Sequence, residues 1–252
     1  MNHLSDRLGA VASMTEDAAA ELHKFFPNAA LCVADIGTDH GYLPIWLIEQ
    51  DIVTHALAMD LREGPLSRAR SNIELMGLTE QIECRISDGF AALQPGEAMI
   101  AVLAGMGGRL MKRMIEEGKP LLLGVRQLIL QPQSEVPELW EAIRQNGWTV
   151  IDERMIFEDG KFYTMMRAIP SESYVEGMRS SDDFGAFLEE GSSETYHLFL
   201  EKELTTTRSL IERLRAENGP SARIAELEIE ETNIEAALMA CEQKQRDHHE
   251  AQ

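Results

Sequence analysis

The chain has 252 residues, 44% of them hydrophobic, and a formal net charge of −20, which suits one α/β domain with an appendage. It shows no apolar run long enough to cross a membrane and no cleavable apolar leader, so a cytoplasmic protein without a membrane span is expected. The strong negative charge disfavours a broad nucleic-acid surface, because proteins that bind phosphates usually carry a basic footprint.

A strand, a glycine turn and a helix follow one another near the start of the chain. A helix is expected over residues 4–26 and ends at Pro27-Asn28, after which an apolar run leads into ADIGTDHGYLP, residues 34–44. This order is how a doubly wound α/β domain opens its first ligand loop. The sequence therefore predicts a ligand site in this segment.

The charge of this loop indicates the kind of ligand. The loop is not G-x-G-x-x-G, and its acids Asp35 and Asp39 would repel the phosphates of a dinucleotide. S-adenosylmethionine, which has a sulfonium, an ammonium and a ribose, suits an acidic turn whose glycines let the backbone approach closely. The predicted cofactor is S-adenosyl-L-methionine, and the loop contributes to its site the residues Asp35, Gly37, Thr38 and Gly41.

Three further strands also end in acids or glycines. The run 55–59 ends at Asp60, about 20 residues past the glycine turn, where a carboxylate can accept both ribose hydroxyls. The alternating run 82–86 leads to Asp88, which can accept from the adenine amino group. The run 99–104 leads into a bare glycine loop. Because ligands of open α/β sheets bind at the carboxyl ends of strands, the predicted cofactor site also includes Asp60, Asp88, Gly89 and Ala104.

The remaining elements complete the sheet. Helices are expected over residues 65–76, 108–117 and 137–146, and a fifth strand over residues 127–130. Strand-like runs over 148–157 and 161–168 flank the turn Glu158-Asp159-Gly160, which predicts an antiparallel hairpin at the end of a mostly parallel sheet. The predicted fold class is α/β, a Rossmann-like class I methyltransferase fold with a C-terminal helical hairpin.

Two heptad-like helices are expected near the C-terminus. A polar linker over 170–193 precedes them, and Asn218-Gly219-Pro220-Ser221 separates them. Apolar residues repeat at spacings of three and four on both sides of that break, and Glu231 interrupts the second series. The predicted domains are therefore a methyltransferase domain, residues 1–170, and a linker with an antiparallel coiled-coil-like hairpin, residues 171–252.

These motifs resemble those of a known family. ADIGTDHGYLP, AMD at 58–60, SDG at 87–89, LAGMGG at 103–108 and LILQP at 128–132 are similar to motifs of the bacterial TrmK family, as is the opening LSDRL at 4–8. That family methylates N1 of adenine 22 in tRNA. The resemblance extends over residues 4–168 and implies S-adenosylmethionine as the cofactor and tRNA as the partner. One departure is Gln133, where many members have Asn after LILQP, so the target nucleotide stays open.

The resemblance also implies where the target base would lie. Adenine N1 is a neutral lone pair, so the enzyme mainly has to position a flipped base against the methyl donor. We predict that Asp39 and the Ala104–Gly105 carbonyls hold the Watson–Crick edge of the base, and that Tyr42 and Met106 contact its ring. His40 is either part of this catalytic group or a histidine that caps the turn. Room for the base is expected at the glycines Gly105, Gly107 and Gly108.

A tRNA contact on so acidic a chain needs a local basic patch. Arg109, Lys112 and Arg113 follow the glycine loop directly and are the predicted RNA-binding residues. Free N–H groups at the start of their helix would favour a phosphate there. The alternative is that these cations form a solvated helix face without a role in binding.

Two other functions stay open on sequence alone. An NAD-dependent oxidoreductase would share the fold and the position of Asp60, although it would normally have a phosphate-binding loop. A non-catalytic nucleotide-binding scaffold would use the helical hairpin to bind partners. No metal is expected, because Cys32, Cys84 and Cys241 are scattered and no His/Cys cluster occurs. The protein is expected to be a monomer or a weak dimer.

Overall fold

A seven-stranded sheet forms the centre of the N-terminal part of the chain. The computed structural model describes residues 4–173, 185, 188 and 194–250. The strands are β1 (Cys32–Ile36), β2 (His55–Asp60), β3 (Ile82–Ile86), β4 (Ile100–Met106), β5 (Gln127–Pro132), β6 (Trp148–Glu158) and β7 (Lys161–Pro170). The helices are α1 (Asp6–Phe25), α2 (Tyr42–Glu49), α3 (Glu63–Leu75), α4 (Gly108–Gly118), α5 (Val136–Gln145), α6 (Glu194–Ala216) and α7 (Ser221–Glu250).

The order of the strands is that of a Rossmann-like methyltransferase. The sheet runs β3-β2-β1-β4-β5-β7-β6, and the first five of these strands are parallel. Strand β7 pairs antiparallel with both β5 and β6. The predicted fold class is therefore confirmed. β5, β6 and β7 each extend up to two residues beyond their predicted carboxyl ends.

The hairpin between β6 and β7 follows from its turn residues. Asp159 and Gly160 have φ angles of 50° and 77°, so both lie in the left-handed region. A two-residue turn of this kind matches the twist of the strands that it joins, and Asp-Gly is a favoured sequence for it. The hairpin therefore closes the sheet with the register that pairs Glu158 with Lys161.

Helix α1 is fixed to this hairpin along its whole length. The Ser5 side chain caps its start by accepting from the Leu8 amide, 3.2 Å away. The Arg7 amide donates to Glu158 Oε1 at 3.2 Å. Further along, the Arg154 guanidinium pairs with the Asp17 carboxylate at 2.5 Å. These contacts hold the first turn of α1 beside the β6–β7 turn.

The chain divides into two compact units, Met1–Phe184 and Gly185–Gln252. In the second unit, α6 and α7 pack antiparallel around apolar side chains that include Leu200, Ile211 and Leu227. Arg208 Nε lies 2.6 Å from Glu231 Oε1 across the helix pair, so the glutamate that interrupts the apolar repeat forms an ion pair. Most of the predicted linker, residues 170–193, lies outside the described residues. Of the helices in the described ranges, none is long and apolar enough to span a membrane.

Candidate active site

A cleft of about 450 Å³ lies at the carboxyl ends of the parallel strands. This volume is within the range of small-molecule sites. The predicted site residues that line it are Gly37, Asp39, Asp60, Asp88, Gly89, Ala104, Gly105, Met106 and Arg113. A larger groove of about 820 Å³ lies at the opposite, amino ends of β1–β3, where Cys32, His55 and Gln81 contribute to it. We place the candidate site in the smaller cleft, because open α/β sheets bind ligands at the carboxyl ends of their strands.

Asp60 presents a carboxylate to this cleft from the last position of β2. Its side chain is almost fully buried, and Oδ1 accepts from the Arg62 amide at 2.7 Å. Arg62 Nε lies 3.9 Å from the same oxygen. In the described part of the chain, no hydrogen bond reaches Oδ2. One carboxylate oxygen is therefore available to the hydroxyls of a ligand.

Asp88 is held in place by an arginine from α4. Arg113 Nη2 donates to Asp88 Oδ1 at 3.0 Å, and Arg113 Nη1 donates to Glu117 Oε2 at 3.2 Å. The hydrogen bond to Asp88 is the main reason why the pKa of Arg113 is raised. Arg113, which the sequence assigns to RNA binding, therefore lies in the cleft and orients a predicted cofactor residue.

Asp35 lies beneath the loop and does not line the cleft. Burial raises the pKa of its carboxyl to about 6, the nearby Thr38 hydroxyl opposes this rise, and the charge of Asp60 adds to it. Thr38 Oγ1 is buried and has no hydrogen-bond partner of normal geometry among the described residues. Thr38 therefore lowers the pKa of Asp35 because its hydroxyl is close to the carboxyl, without a well-formed hydrogen bond. The Gly37 and Thr38 amides both donate to the Met59 carbonyl, at 2.8 and 2.9 Å, which ties the loop to β2.

The three residues after Thr38 form the rim of the loop. Asp39 reaches the cleft, and its Oδ1 accepts from Arg68 Nη2 at 2.8 Å. The His40 ring stacks on Tyr42 with centroids 5.2 Å apart, and neither ring lines the cleft. The His40 carbonyl accepts from Asn72 Nδ2 at 2.9 Å, which fixes its left-handed backbone. These contacts hold His40 in the turn.

Two of the glycines lie beneath methionine side chains. A Cβ at Gly37 would lie 3.1 Å from Met106 Sδ, and one at Gly89 would lie 2.8 Å from Met114 Cγ. Methionine is unbranched and adaptable, so both side chains can move when a ligand enters. The cleft therefore has adjustable walls beside β1 and β3.

Two other glycines serve packing between chain segments. A Cβ at Gly41 would lie 3.3 Å from Ala69 Cβ, which places Gly41 against α3. A Cβ at Gly108 would lie 2.5 Å from the Ser134 carbonyl oxygen. The prediction that Gly108 leaves room for the target base is therefore wrong, because its missing side chain lets α4 approach the loop after β5.

The predicted RNA patch on α4 is largely neutralised by acids. Arg109 Nε lies 3.7 Å from Glu135 Oε1, and Lys112 Nζ lies 3.9 Å from Glu116 Oε1. Glu135, which directly precedes α5, lies beside the first turn of α4. Its pKa is lowered first by the Ser134 hydroxyl and then by Arg109 and the first amides of α4. A carboxylate thus occupies the position where the sequence predicts a phosphate.

The sequence reasoning assigned no role to Arg7 and Gln131, which meet at the cleft. Arg7 Nη1 donates to Gln131 Oε1 at 2.7 Å, and the Gly105 amide donates to the same oxygen at 3.2 Å. Both residues belong to motifs that carry the family resemblance, LSDRL and LILQP. Motif membership was the available signal, but nothing local shows that α1 reaches the end of β5.

The strand order, the acidic loop after β1 and the carboxylate at the end of β2 define a class I methyltransferase. The model of the TrmK family, described as tRNA (adenine(22)-N(1))-methyltransferase, matches residues 33–236. The chain therefore belongs to this family, which confirms the predicted family and enzyme class.

Individual relatives agree with this assignment. The tRNA (adenine(22)-N(1))-methyltransferase of Bacillus subtilis (strain 168) is 34% identical over 198 residues, which cover 76% of this chain and 82% of the relative. A structure of an uncharacterized protein from Listeria monocytogenes serotype 4b has a TM-score of 0.81 and 32% identity, covering 94% of this chain and 100% of that one. A putative tRNA (m1A22) methyltransferase from Streptococcus pneumoniae, in complex with S-adenosyl-L-methionine, has a TM-score of 0.77 and 30% identity, with coverages of 94% and 100%.

Proposed function

We propose that the chain transfers the methyl group of S-adenosylmethionine to N1 of adenine 22 in tRNA. The observation that carries this proposal is the available Asp60 oxygen in a strand-end cleft of a chain that belongs to this family. An NAD-dependent oxidoreductase is disfavoured, since the loop after β1 is acidic and its Gly37 and Thr38 amides already donate to Met59. A non-catalytic nucleotide-binding scaffold is disfavoured, because the chain belongs to a family of methyltransferases.

The donor groups of the cleft fit the adenosine part of the cofactor. Asp60 Oδ2 accepts from the ribose hydroxyls, and Asp88 accepts from the adenine amino group. The backbone at Gly37 and Gly89 lies close to the ligand once Met106 and Met114 move aside. S-adenosylmethionine supplies an activated methyl group at this position.

The target base is held on the β4 side of the cleft. The Ala104 and Gly105 backbone lies next to Met106 there, and Asp39 faces the same space from the loop after β1. Adenine becomes positively charged when N1 is methylated, so the Asp39 carboxylate stabilises that charge. Arg68 now pairs with Asp39 Oδ1 and must share it or move when the base enters.

The reaction is tested with the full chain, labelled S-adenosylmethionine and two tRNA transcripts that differ only at position 22, adenine or guanine. We expect label in N1-methyladenosine from the first transcript and none from the second. Equal labelling of both transcripts would show that another nucleotide is the target. Asp39→Asn should reduce turnover more than cofactor affinity, because its interaction forms mainly in the transition state. Equal losses would give Asp39 a cofactor or structural role.

The tRNA contact includes Arg109 and Lys112 in this proposal, because their acidic partners are 3.7 and 3.9 Å away, farther than the 3.0 Å between Arg113 and Asp88. Changing both to Glu should weaken tRNA binding and leave cofactor binding intact, with a shallow salt dependence since few phosphates are neutralised. Arg126→Glu is the matched control, because Arg126 is exposed at the amino end of β5. Unchanged tRNA affinity in the double variant would move the contact to another surface.

We also propose that the protein acts in the cytoplasm, where its tRNA substrate is found, and as a monomer or weak dimer. Analytical ultracentrifugation over a range of concentrations measures the second point. A stable dimer at the lowest concentration would contradict it.

A further inference from the structure

Asp39, at the mouth of the cleft, is held by an arginine that lies outside the cleft. Arg68 belongs to α3 and does not line the cleft, yet its Nη2 donates to Asp39 Oδ1 at 2.8 Å. The same oxygen lies 3.5 Å from His40 Nε2. In the described part of the chain, no hydrogen bond reaches Asp39 Oδ2. One oxygen of this carboxylate is therefore held from outside the cleft, and the other remains available.

Helix α3 holds the loop after β1 at three consecutive residues. Besides the bond to Asp39, Asn72 Nδ2 donates to the His40 carbonyl at 2.9 Å. A Cβ on Gly41 would lie 3.3 Å from Ala69 Cβ, so the next loop residue packs closely against the same helix. The arginine that bonds Asp39 therefore belongs to a helix that is fixed to the loop at the mouth of the cleft.

Most of the hydrogen-bonding capacity of Arg68 is unused. Its guanidinium has five N–H donors, and one of them binds Asp39, which is its only acidic partner among the described residues. About half of the side chain is exposed. Arg70 differs, because its partner Glu63 belongs to the same helix and does not line the cleft. Arg68 can therefore hold a carboxylate with one edge of its planar guanidinium and bind a second anion with the other donors.

A flipped nucleotide would bring such an anion to the mouth of the cleft. The base enters the cleft, whereas the phosphates on both sides of it stay outside, because the RNA chain continues in both directions. Asp39 is 58% exposed, so the arginine bonded to it lies where these phosphates pass. Helix α3 follows β2, and α4, with Arg109 and Lys112, follows β4, so the two helices lie on opposite sides of β1.

We propose that Arg68 bridges Asp39 and a tRNA phosphate that flanks the target nucleotide. The phosphate accepts charge-assisted hydrogen bonds from the donors that Asp39 leaves unused. This contact couples the RNA backbone to the Asp39 carboxylate, so the carboxylate is held most firmly when tRNA is bound. Arg68 is a positioning residue, since it acts on the reacting base only through Asp39. The inference rests on the proposed function and adds the cation that binds the backbone beside the target.

The test removes the negative charge of one phosphate at a time. The tRNA is assembled from two annealed fragments with a neutral methylphosphonate linkage either before or after adenine 22, and kcat and KM for tRNA are measured at saturating cofactor. In the wild type, one of the two linkages should lower kcat/KM on the order of 10-fold, because a charged hydrogen bond is lost. Arg68→Gln should cause a similar or larger loss with unmodified tRNA and no further loss with that linkage, since both changes remove the same contact.

The separate values of kcat and KM distinguish positioning from a phosphate contact alone. Arg68→Gln should lower kcat as well as raise KM, because Asp39 is then no longer held in the transition state. Arg68→Lys keeps the charge without the planar, many-donor geometry, so it should recover KM more than kcat. A raised KM with a normal kcat would leave Arg68 without influence on Asp39 and would overturn the bridge.

Arg70→Gln is the matched control, because Arg70 lies on the same helix and its side chain is 45% exposed, close to the 49% of Arg68. It should retain wild-type kinetics with every transcript, and Arg68→Gln should bind S-adenosylhomocysteine as the wild type does in calorimetry. Losses from Arg68→Gln and from each linkage that simply multiply would place the phosphate elsewhere and overturn the proposal. An equal loss in Arg70→Gln, or lost S-adenosylhomocysteine binding in Arg68→Gln, would make Arg68 structural and also overturn it.

The wild-type protein with unmodified tRNA separates this inference from the proposed function. Wild-type protein that does not methylate adenine 22 would refute the proposed reaction and this inference with it. If the wild type methylates adenine 22 and neither Arg68→Gln nor either linkage changes the rate, the proposed reaction stands and the Arg68 contact alone is refuted.

Discussion

The cleft and the helical unit use charged residues in different ways. In the helical unit, Arg208 and Arg215 meet Glu231 and Glu228 on the facing helix, so their charges are balanced within the chain. In the cleft, one Asp60 oxygen and most of the Arg7 donors have no charged partner among the described residues. Charges balanced within the chain stabilise the fold, and those left without a partner at a cleft are available to a ligand.

The cations of helix α4 are intermediate between charges balanced within the chain and charges available to a ligand. Each of Arg109, Lys112 and Arg113 has an acidic neighbour within 4 Å, as Arg208 and Arg215 of the helical unit do. The pairs of Arg109 with Glu135 and of Lys112 with Glu116, however, are 3.7 and 3.9 Å apart, so tRNA can compete for these two cations. The comparison therefore predicts a strong cofactor contact and a weak RNA contact with a shallow salt dependence.

The largest expected effect is on cofactor binding through Asp60. Asp60→Ala should weaken S-adenosylhomocysteine binding by about 2 kcal/mol, since two ribose hydroxyls lose an ionised acceptor. Calorimetry measures the affinity, and thermal unfolding checks that the start of α3 is intact. Glu63→Ala is the control, because Glu63 is an exposed acid of the same segment that does not line the cleft. Equal affinities of both variants would refute the ribose assignment.

A second prediction concerns the pH dependence caused by Asp35. Burial raises the pKa of Asp35 from 3.8 to about 6, so the native state keeps a proton that the unfolded chain releases. The residue therefore lowers the free energy of unfolding as the pH rises from about 4 to about 6. Asp35→Asn stays neutral, so its stability relative to the wild type should increase by roughly 2–3 kcal/mol over this range and then stay constant.

Denaturant titrations of both proteins without cofactor, at half-unit pH steps, give this difference directly. A difference that does not change between pH 4 and 7 would show that Asp35 ionises as an exposed carboxyl does.

A third and smaller effect, on the free energy of unfolding, distinguishes a glycine in close contact with another segment from a glycine with open space around it. Gly108→Ala should lower the free energy of unfolding by roughly 1–2 kcal/mol, because the new methyl group would lie 2.5 Å from the Ser134 carbonyl oxygen. Gly9→Ala is the control, since nothing lies within 4 Å of its Cβ position in α1 and alanine favours a helix. Chemical denaturation should therefore give changes of opposite sign. A stabilised Gly108→Ala protein would show that the loop after β5 moves away easily.

Local sequence patterns predicted the sheet and the acids at the ends of its strands. Parallel strands are buried on both faces, so they form apolar runs, and the acids Asp60 and Asp88 mark where these runs end. Arg7 and Gln131 are 124 residues apart, and their contact depends on how α1 packs against the antiparallel hairpin. The position of Glu135 beside the first turn of α4 likewise depends on tertiary packing, since Glu135 directly precedes α5 in the sequence. Contacts made by tertiary packing leave no periodic signal in the sequence.

The smallest expected effect is at Glu231 in the helical unit. Glu231→Gln and Arg208→Gln should each lower the free energy of unfolding by about 0.5–1 kcal/mol, less in high salt, because the pair is partly exposed. Neither change should alter S-adenosylhomocysteine binding.

The same two variants distinguish a structural ion pair from an RNA contact. If Arg208 only balances charge within the helix pair, both variants bind tRNA as the wild type does. If Arg208 also contacts RNA, Arg208→Gln weakens tRNA binding, whereas Glu231→Gln strengthens it by freeing the arginine from one of its two glutamate partners, Glu231 and Glu235. Opposite changes in the tRNA affinities of the two variants, measured by filter binding, would remove the distinction between the cleft and the helical unit. A charge balanced within the chain would then also bind the substrate.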